Sequence, residues 1–552
     1  MELLPQALVN LGESLRAQGR LREAVASFQR ATELAPHYAD AWRALADARS
    51  VQKNFQLASQ AYVKALELRR DDPASLCGLG RAYEKLDRFD EALGCYRTAL
   101  AICPLRAEIH FNLGAVAHRA GRLDDAIAAY RQAVALKPDY ANAHVQLAAV
   151  LGDLDRVDEA LEHSAHALRL LPNQAAAQNN HGTLLQERGD IAGAMTHYRR
   201  AIEIAPLDPE AHINYATTLL LCGNFAHGWP QYEWRWQARG VTYHPHRRLP
   251  LRIWDGTPLA ARTLLVHGEQ GVGDEIMFAS CIADLLERGE RCVIDCDVRL
   301  APLFARSFPG AVVSGTRGES DLSDLAARWR PDVQIPAGTL PRYLRLHLAG
   351  FPRRPSYLVP DPQLVRVWSE RYRRLGRGLV VGISWRGGGN AAEHRRRSTR
   401  LEQWRNLFAV PAVHFVNLQY GDCANEVAAV HDSYGVTIHT WPDVNPLQNL
   451  DGFAAQVAAL DLVISVTNAT VHMAGGVGIP TWVLLNPISS WRWLLDREDS
   501  PWYPSVRLFR QSQLRHWDDV FARVARELGV AAAARSVQCH RRRDAILCEQ
   551  AP

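Results

Sequence analysis

Asp274 stands directly behind two glycines, Gly271 and Gly273, in the segment HGEQGVGDEIMF, between an apolar strand (Thr263 to Val266) and an amphipathic helix. Glycine-rich turns that enter helices ordinarily cradle a phosphate, because free backbone N–H groups and the helix dipole attract anions. An aspartate here would repel a pyrophosphate, which leaves two roles for it: a helix cap, worth about 1 kcal/mol, or a general base that takes a proton from a neutral hydroxyl. The spacing Gly271-x-Gly273 is not the Gly-x-Gly-x-x-Gly of dinucleotide sites, so no nicotinamide or flavin cofactor is expected. Anion-friendly residues occur further along the chain. TNATVHMAGGVGIP follows the apolar run LVISV and opens a short glycine-rich helix, with Asn468, Thr470, His472, Gly475 and Gly476 as candidate phosphate contacts. The segment WRGGGNAAEHRRRS follows another apolar run and offers Trp385, Arg386 and the run Arg395, Arg396 and Arg397, which either pairs with a diphosphate or is a solvated face. Gln419, in LQYGD, follows a third.

These segments need strands to carry them. From Arg262 the pattern alternates strand and helix: TLLVHG, RCVIDCDV, AVVS and DVQI, with amphipathic stretches between. After the proline-rich stretch from Pro352 to Pro362 it restarts with LVVGISW, HFVNLQY, VTIH, LVISV and TWVLL. Two Rossmann-like α/β lobes with parallel sheets are expected, over residues 262–360 and 361–530, with a hinge between them. Ligands of such sheets bind beyond the C-terminal ends of the strands, where the unusual loops fall. Asp295-x-Asp297 lies at the end of a strand in the first lobe, away from the phosphate-friendly loops, and no metal site is expected.

The N-terminal half repeats with a 34-residue period and no insertion. Gly19, Lys53, Asp87, Gly121, Asp155, Gly189 and Gly223 form a column of turn-favouring residues. Ala24, Ala58, Ala92, Ala126, Ala160 and Ala194 form a second, and Phe28, Tyr62, Tyr96, Tyr130, Ser164, Tyr198 and Tyr232 a third. Pro36, Pro104, Pro138, Pro172 and Pro206 keep the same phase. The period and the columns resemble the tetratricopeptide repeat, a helix-turn-helix unit that stacks into an α-solenoid with a groove suited to protein partners. Six repeats and a partial seventh span residues 1–236. The seventh breaks pattern at NFAHGWPQYEWRW, whose Trp229, Tyr232, Trp234 and Trp236 predict a cap docked on the following domain. Residues 237–261 read as a connector and 531–552 as a disordered tail.

Composition is that of a soluble chain, with 47% hydrophobic and 22% charged residues and a net charge of +4. Charge so close to balance, without basic runs interleaved with aromatics, argues against nucleic acid as a partner. Neither a signal-like N-terminus nor an apolar run of about 18 residues occurs, so no membrane span and a cytoplasmic location are expected. The ten cysteines show no zinc spacing, and Cys292 and Cys296 fall on one face of a strand, as buried thiols do.

On the pair Gly273-Asp274 and the loop ending at His472, the C-terminal half resembles the bacterial heptosyltransferases, glycosyltransferases of the two-lobe (GT-B) type. With YEWRW, EQGVGD, LQYGD and WRWLLDREDSPWYPSVRLFRQ, the chain is similar to bacterial proteins that fuse tetratricopeptide repeats to such a domain, some of them resembling flagellin glycosyltransferases. The resemblance implies a metal-independent, inverting transfer from a nucleotide-sugar with no other cofactor, Asp274 as base, and the His472 loop on the donor phosphates. It also implies a protein acceptor, flagellin among the candidates, recruited by the repeats. Heptosyltransferases typically carry Asp-Thr where this chain has Thr467-Asn468, so their sugar does not carry over. An inactive scaffold and a transferase for glycan or lipopolysaccharide acceptors are the alternative readings.

Overall fold

The structure, a computed structural model, describes residues 3–238, 249–317, 323–388, 391–514 and 516–549. The chain divides into two compact units, Met1–Ala205 and Pro206–Pro552.

The first unit is a series of antiparallel helix pairs, from Leu3–Ala17 and Leu21–Leu34 to Ala175–Arg188 and Ile191–Ile204. Each column of the repeat has a physical task. The turn column takes positive φ at every position, from 56° at Asp87 to 98° at Gly189, the left-handed conformation that ends a helix and reverses the chain. All six alanines of the second column are fully buried, where anything larger would force the paired helices apart. The aromatic column is buried too, and a Cβ added at Gly12, Gly80, Gly114 or Gly182 would come within 3.0 Å of the ring 16 residues later. The proline column closes hydrogen bonds: Trp42 Nε1, His110 Nε2, His144 Nε2 and Gln178 Nε2 each meet the carbonyl of the proline six residues before, at 2.9–3.0 Å.

Where Ser164 replaces the aromatic, its Oγ meets His181 Nδ1 at 3.0 Å, and the His197 ring packs edge-on to His181 with centroids 4.6 Å apart. Burial pushes the His181 pKa down to about 4, with His197 and Arg188 adding to the shift. The unfolded chain therefore binds more protons than the folded one between pH 6.5 and about 4, and stability falls as pH drops through that window. Over that window the wild type is expected to lose up to about 3 kcal/mol more unfolding free energy than His181→Asn. Denaturant unfolding at the two pH values checks this, and parallel losses in both proteins would assign the acid sensitivity elsewhere.

The second unit carries two parallel sheets. In the first, β1 (Arg252–Ile253), β2 (Thr263–His267), β3 (Arg291–Asp295), β4 (Val312–Ser314) and β5 (Val333–Pro336) lie in the order β1-β5-β2-β3-β4. In the second, β6 (Leu379–Ser384), β7 (Val413–Asn417), β8 (Ile438–His439), β9 (Leu462–Val466), β10 (Thr481–Leu485) and β11 (Val506–Arg510) lie in the order β11-β10-β9-β6-β7-β8. The strand order reverses between β6 and β9, so the loops that follow these two strands open a crevice. β6 and β9 read as continuous apolar runs because both of their faces are covered. Cys292 and Cys296 are buried and unpaired. The proline-rich stretch is pinned on both sides: Tyr357 Oη donates to Ile276 O (2.8 Å), and the Tyr357 and Leu358 amides both donate to Gly476 O (3.0 Å).

Three boundaries differ from the sequence reading. The seventh helix pair, Pro209–Leu221 and Phe225–Tyr232, belongs to the second unit, because Trp229 is 1% exposed with its Nε1 on Arg345 O at 2.9 Å and its ring against Trp491 and Trp502. The connector supplies β1, which pairs with β5 while Gln334 Nε2 donates to the Leu249 and Leu251 carbonyls at 2.8 Å; its residues 239–248 lie outside the described residues. The stretch read as a tail continues the helix Asp518–Glu549, in keeping with its run of alanines and arginines, both strong helix formers. None of the described helices is long and apolar enough to cross a membrane.

Candidate functional site

Asp274 is the third residue of the helix Val272–Glu287, whose N-cap is Gly271. Its Oδ2 accepts the Gly271 N–H at 3.4 Å, the reciprocal half of a capping box. Its Oδ1 faces the other lobe and accepts from Arg492, through Nε at 2.9 Å and through Nη2. The turn before it is strained and held: Gln270, a non-glycine at φ 60°, bonds Tyr232 Oη through its side chain, while Arg317 donates to its carbonyl. Arg317 also pairs with Glu275, a buried carboxyl that desolvation pushes up to about 7 against the pull of that arginine.

Opposite, the helix Ala469–Val477 leaves the end of β9. A Cβ added at Gly273 would lie 2.9 Å from His472 Cδ2 and 3.5 Å from Ala469 Cα, so only glycine lets the two helix starts approach this closely. His472 is 7% exposed, bonds Tyr503 Oη through Nδ1 at 2.8 Å and stacks on Trp493. Its Nε2 makes no hydrogen bond among the described residues. Burial pushes its pKa down to about 4 despite the opposing effect of Asp274, so the ring is neutral at pH 7. A cleft of about 390 Å³ between the two helix starts is lined by Gly273, Asp274, Arg397, Asn468, His472 and Arg492, with Tyr420 and Trp493 on its walls. A second cavity of about 660 Å³ opens on the other side of the Gln419–Asp422 loop, with Trp441, Pro442, Pro446 and Leu447 among its walls.

The sequence-derived site residues separate accordingly. Asp274, Gly273, Arg397, Asn468 and His472 line one cleft. Asn468 spends its polar atoms on the scaffold: Oδ1 accepts the Thr470 N–H at 3.0 Å, and Nδ2 donates to Ser384 Oγ (2.8 Å) and Arg386 O (3.0 Å), tying the β9 loop to the β6 loop. Arg395 and Arg396 are not among the cleft residues. Trp385 is a core side chain, 0% exposed, with Nε1 on Glu426 at 2.5 Å. The Arg386 guanidinium turns to Asp422 O (2.7 Å) and Glu426 (3.4 Å). Gln419 holds the loop, its Oε1 accepting the Trp385 and Arg386 amides at 3.0 and 2.8 Å. Thr470 is 2% exposed, its N–H already on Asn468. Gly475 and Gly476 are packing glycines well inside their helix: a Cβ on the first would lie 2.5 Å from Tyr503 Cγ, and one on the second 2.8 Å from Leu358 Cδ1. These corrections have a common cause. Residues near the C-terminal end of a strand read alike in sequence, and packing decides which of them turn outward. Arg492, Ser490, Trp493, Tyr420 and Thr467 were not assigned to the site from sequence; for the first three the signal was a tryptophan- and arginine-rich string soon after β10.

Tetratricopeptide repeat models match residues 77–141, and residues 3–71 and 139–207. The first unit is a tetratricopeptide repeat array. The chain is similar to Protein FlbA of Caulobacter vibrioides, 36% identical over 322 residues, which covers 56% of this chain and 54% of that protein. It thus spans about half the length of that relative. Among solved structures it is similar to YrrB, described as a TPR protein with an unusual peptide-binding site, at 25% identity over 33% of this chain and 95% of that one, with a TM-score of 0.30. It is also similar to pilF of Pseudomonas aeruginosa, at 20% identity over 38% and 96% of the two chains, with a TM-score of 0.34. The repeats point to a protein partner.

Proposed function

We propose that this protein is a glycosyltransferase of the two-lobe (GT-B) type that moves a sugar from a nucleotide-sugar to a hydroxyl of a protein acceptor recruited by the repeats. The observation that carries the reading is the single cleft on which a carboxylate from one lobe meets Arg397, Arg492, a neutral histidine and a helix start from the other. Asp274 accepts the proton of the acceptor hydroxyl, and that oxygen attacks the anomeric carbon. The bond from this carbon to the phosphate oxygen breaks, and the nucleotide leaves as a diphosphate. The two guanidiniums and the N-terminal end of the helix Ala469–Val477 offset the charge that develops on the leaving oxygen, so the transfer calls for no metal ion. His472, neutral at pH 7 and bonded to Tyr503 Oη through Nδ1, adds an uncharged polar ring to the cleft wall. The neighbouring cavity, walled by Trp441, prolines and a leucine, suits the flat apolar end of a nucleoside. Flagellin is the acceptor proposed, on the resemblance that the strings YEWRW, EQGVGD, LQYGD and WRWLLDREDSPWYPSVRLFRQ carry to flagellin glycosyltransferases.

Calorimetric titration of the full chain with UDP, GDP, ADP, dTDP and CMP, without added metal, tests the donor site. One nucleotide is expected to bind at micromolar concentration, about −8 kcal/mol. A folded protein that binds none of them would leave the repeats as the function and the α/β unit as scaffold.

A further inference from the structure

The contacts of Arg492 fall into two groups. Ser490 Oγ, which accepts from Nη1 at 2.9 Å, and the Trp491 ring, whose centroid lies 4.5 Å beneath the guanidinium carbon, belong to its own loop and accompany it. The other two donors, Nε and Nη2, are spent together on Asp274 Oδ1 in the opposite lobe. This is the edge with which arginine grips a phosphate side-on, and it opens on the cleft that also holds Arg397. The Asp274 side chain and the Arg492 side chain are each 18% exposed, so a ligand can reach the pair. Carboxylate and ligand anion therefore compete for one pair of N–H groups.

We propose that Arg492 is an anion-responsive latch. In the ligand-free cleft it occupies the carboxylate of Asp274. A phosphate-bearing ligand draws the Nε and Nη2 edge to itself, and Asp274 is left with the Gly271 N–H and an oxygen open to a hydroxyl. Ser490 and Trp491 stay with the guanidinium throughout, so the change is a swing of one side chain about a fixed support. The consequence rests on the reading of Asp274 as base: proton acceptance is enabled only when the anion is seated, which limits wasteful attack by water. By linkage, the carboxylate that the anion displaces must weaken the anion by the same factor.

The test uses inorganic pyrophosphate as the probe, titrated calorimetrically into the full chain and three variants. Asp274→Asn keeps the cap on Gly271 and removes the competing charge, so it is expected to bind pyrophosphate about ten-fold tighter than wild type or better. Arg492→Gln is expected to bind about ten-fold weaker or worse. The double variant is expected to match Arg492→Gln, because the gain from Asp274→Asn exists only while Arg492 is there to be released. Pyrophosphate binding that is unchanged or weaker in Asp274→Asn, or a gain that survives in the double variant, overturns the latch. A nucleoside diphosphate that binds wild type and Asp274→Asn equally keeps the donor site and overturns the latch. The three-variant pattern with pyrophosphate, and no nucleotide bound more tightly than pyrophosphate, keeps the latch and overturns the donor reading. No binding to any form overturns both.

Discussion

Asp274→Asn is expected to lower sugar transfer by a factor of about 10²–10⁴, the usual contribution of a positioned general base. Asparagine matches aspartate in shape, so its amide oxygen can still accept the Gly271 N–H that caps the helix Val272–Glu287. What it cannot do is hold a proton taken from the acceptor. The same substitution also removes the charge partner of Arg492, so the variant should bind an anionic donor no worse than wild type while turning over far more slowly. That combination separates a chemical defect from a folding defect, which would weaken both together. The measurement is the rate of nucleoside diphosphate release from the nucleotide-sugar that calorimetry identifies. A rate within two- or three-fold of wild type, at unchanged melting temperature, would make Asp274 a helix cap and no more.

Glu269→Gln is expected to destabilise the second unit by about 3–5 kcal/mol, because it strands a buried guanidinium. Arg235, on the turn after the helix Phe225–Tyr232, meets Glu269 fork to fork, with Nε to Oε2 and Nη2 to Oε1 both at 2.9 Å. The glutamate side chain is 2% exposed and that of the arginine 10%. Glu269 also accepts the Gly338 N–H at 2.7 Å, and Arg235 lies against the rings of Tyr232 and Trp236. Glu233, 2.8 Å from Arg235 Nη1, keeps part of the charge balanced, which places the expected loss toward the lower end of that range. A loss of this size is a large fraction of the stability of an ordinary domain. The reading is the unfolding transition assigned to the second unit, followed by tryptophan fluorescence, since Trp229, Trp491 and Trp502 pack around this junction. A midpoint that does not move would mean that the pair contributes no more than it costs to desolvate.

That ion pair changes the meaning of two strings that stood out in the sequence. YEWRW and EQGVGD both invite a functional reading, the first for its aromatics and the second for its glycines. Arg235 of the first is buried against Glu269 of the second, and Tyr232 Oη bonds Gln270, so part of each string serves to fix the turn that presents Asp274.

The sequence alone determined the period of the helical array, down to the seven positive-φ turns, and the succession of apolar strands in both sheets apart from β1 and β11. Both are local patterns: a buried column or a buried strand must repeat its apolar residues at the spacing of its own backbone, and that spacing is written in consecutive positions. It also singled out Asp274 and His472, because each falls in a glycine-rich segment that leads from an apolar strand into a helix. Tertiary structure decided which strand-end residues face the cleft and which serve the core. Arg492 meets Asp274 across 218 positions, and Gly475 and Gly476 are small because Tyr503 and Leu358 pack on them. The choice between pairing outward to a ligand and inward to a neighbour, as Trp385 does with Glu426, depends on which distant elements fold alongside, and residue spacing along the chain carries no record of that.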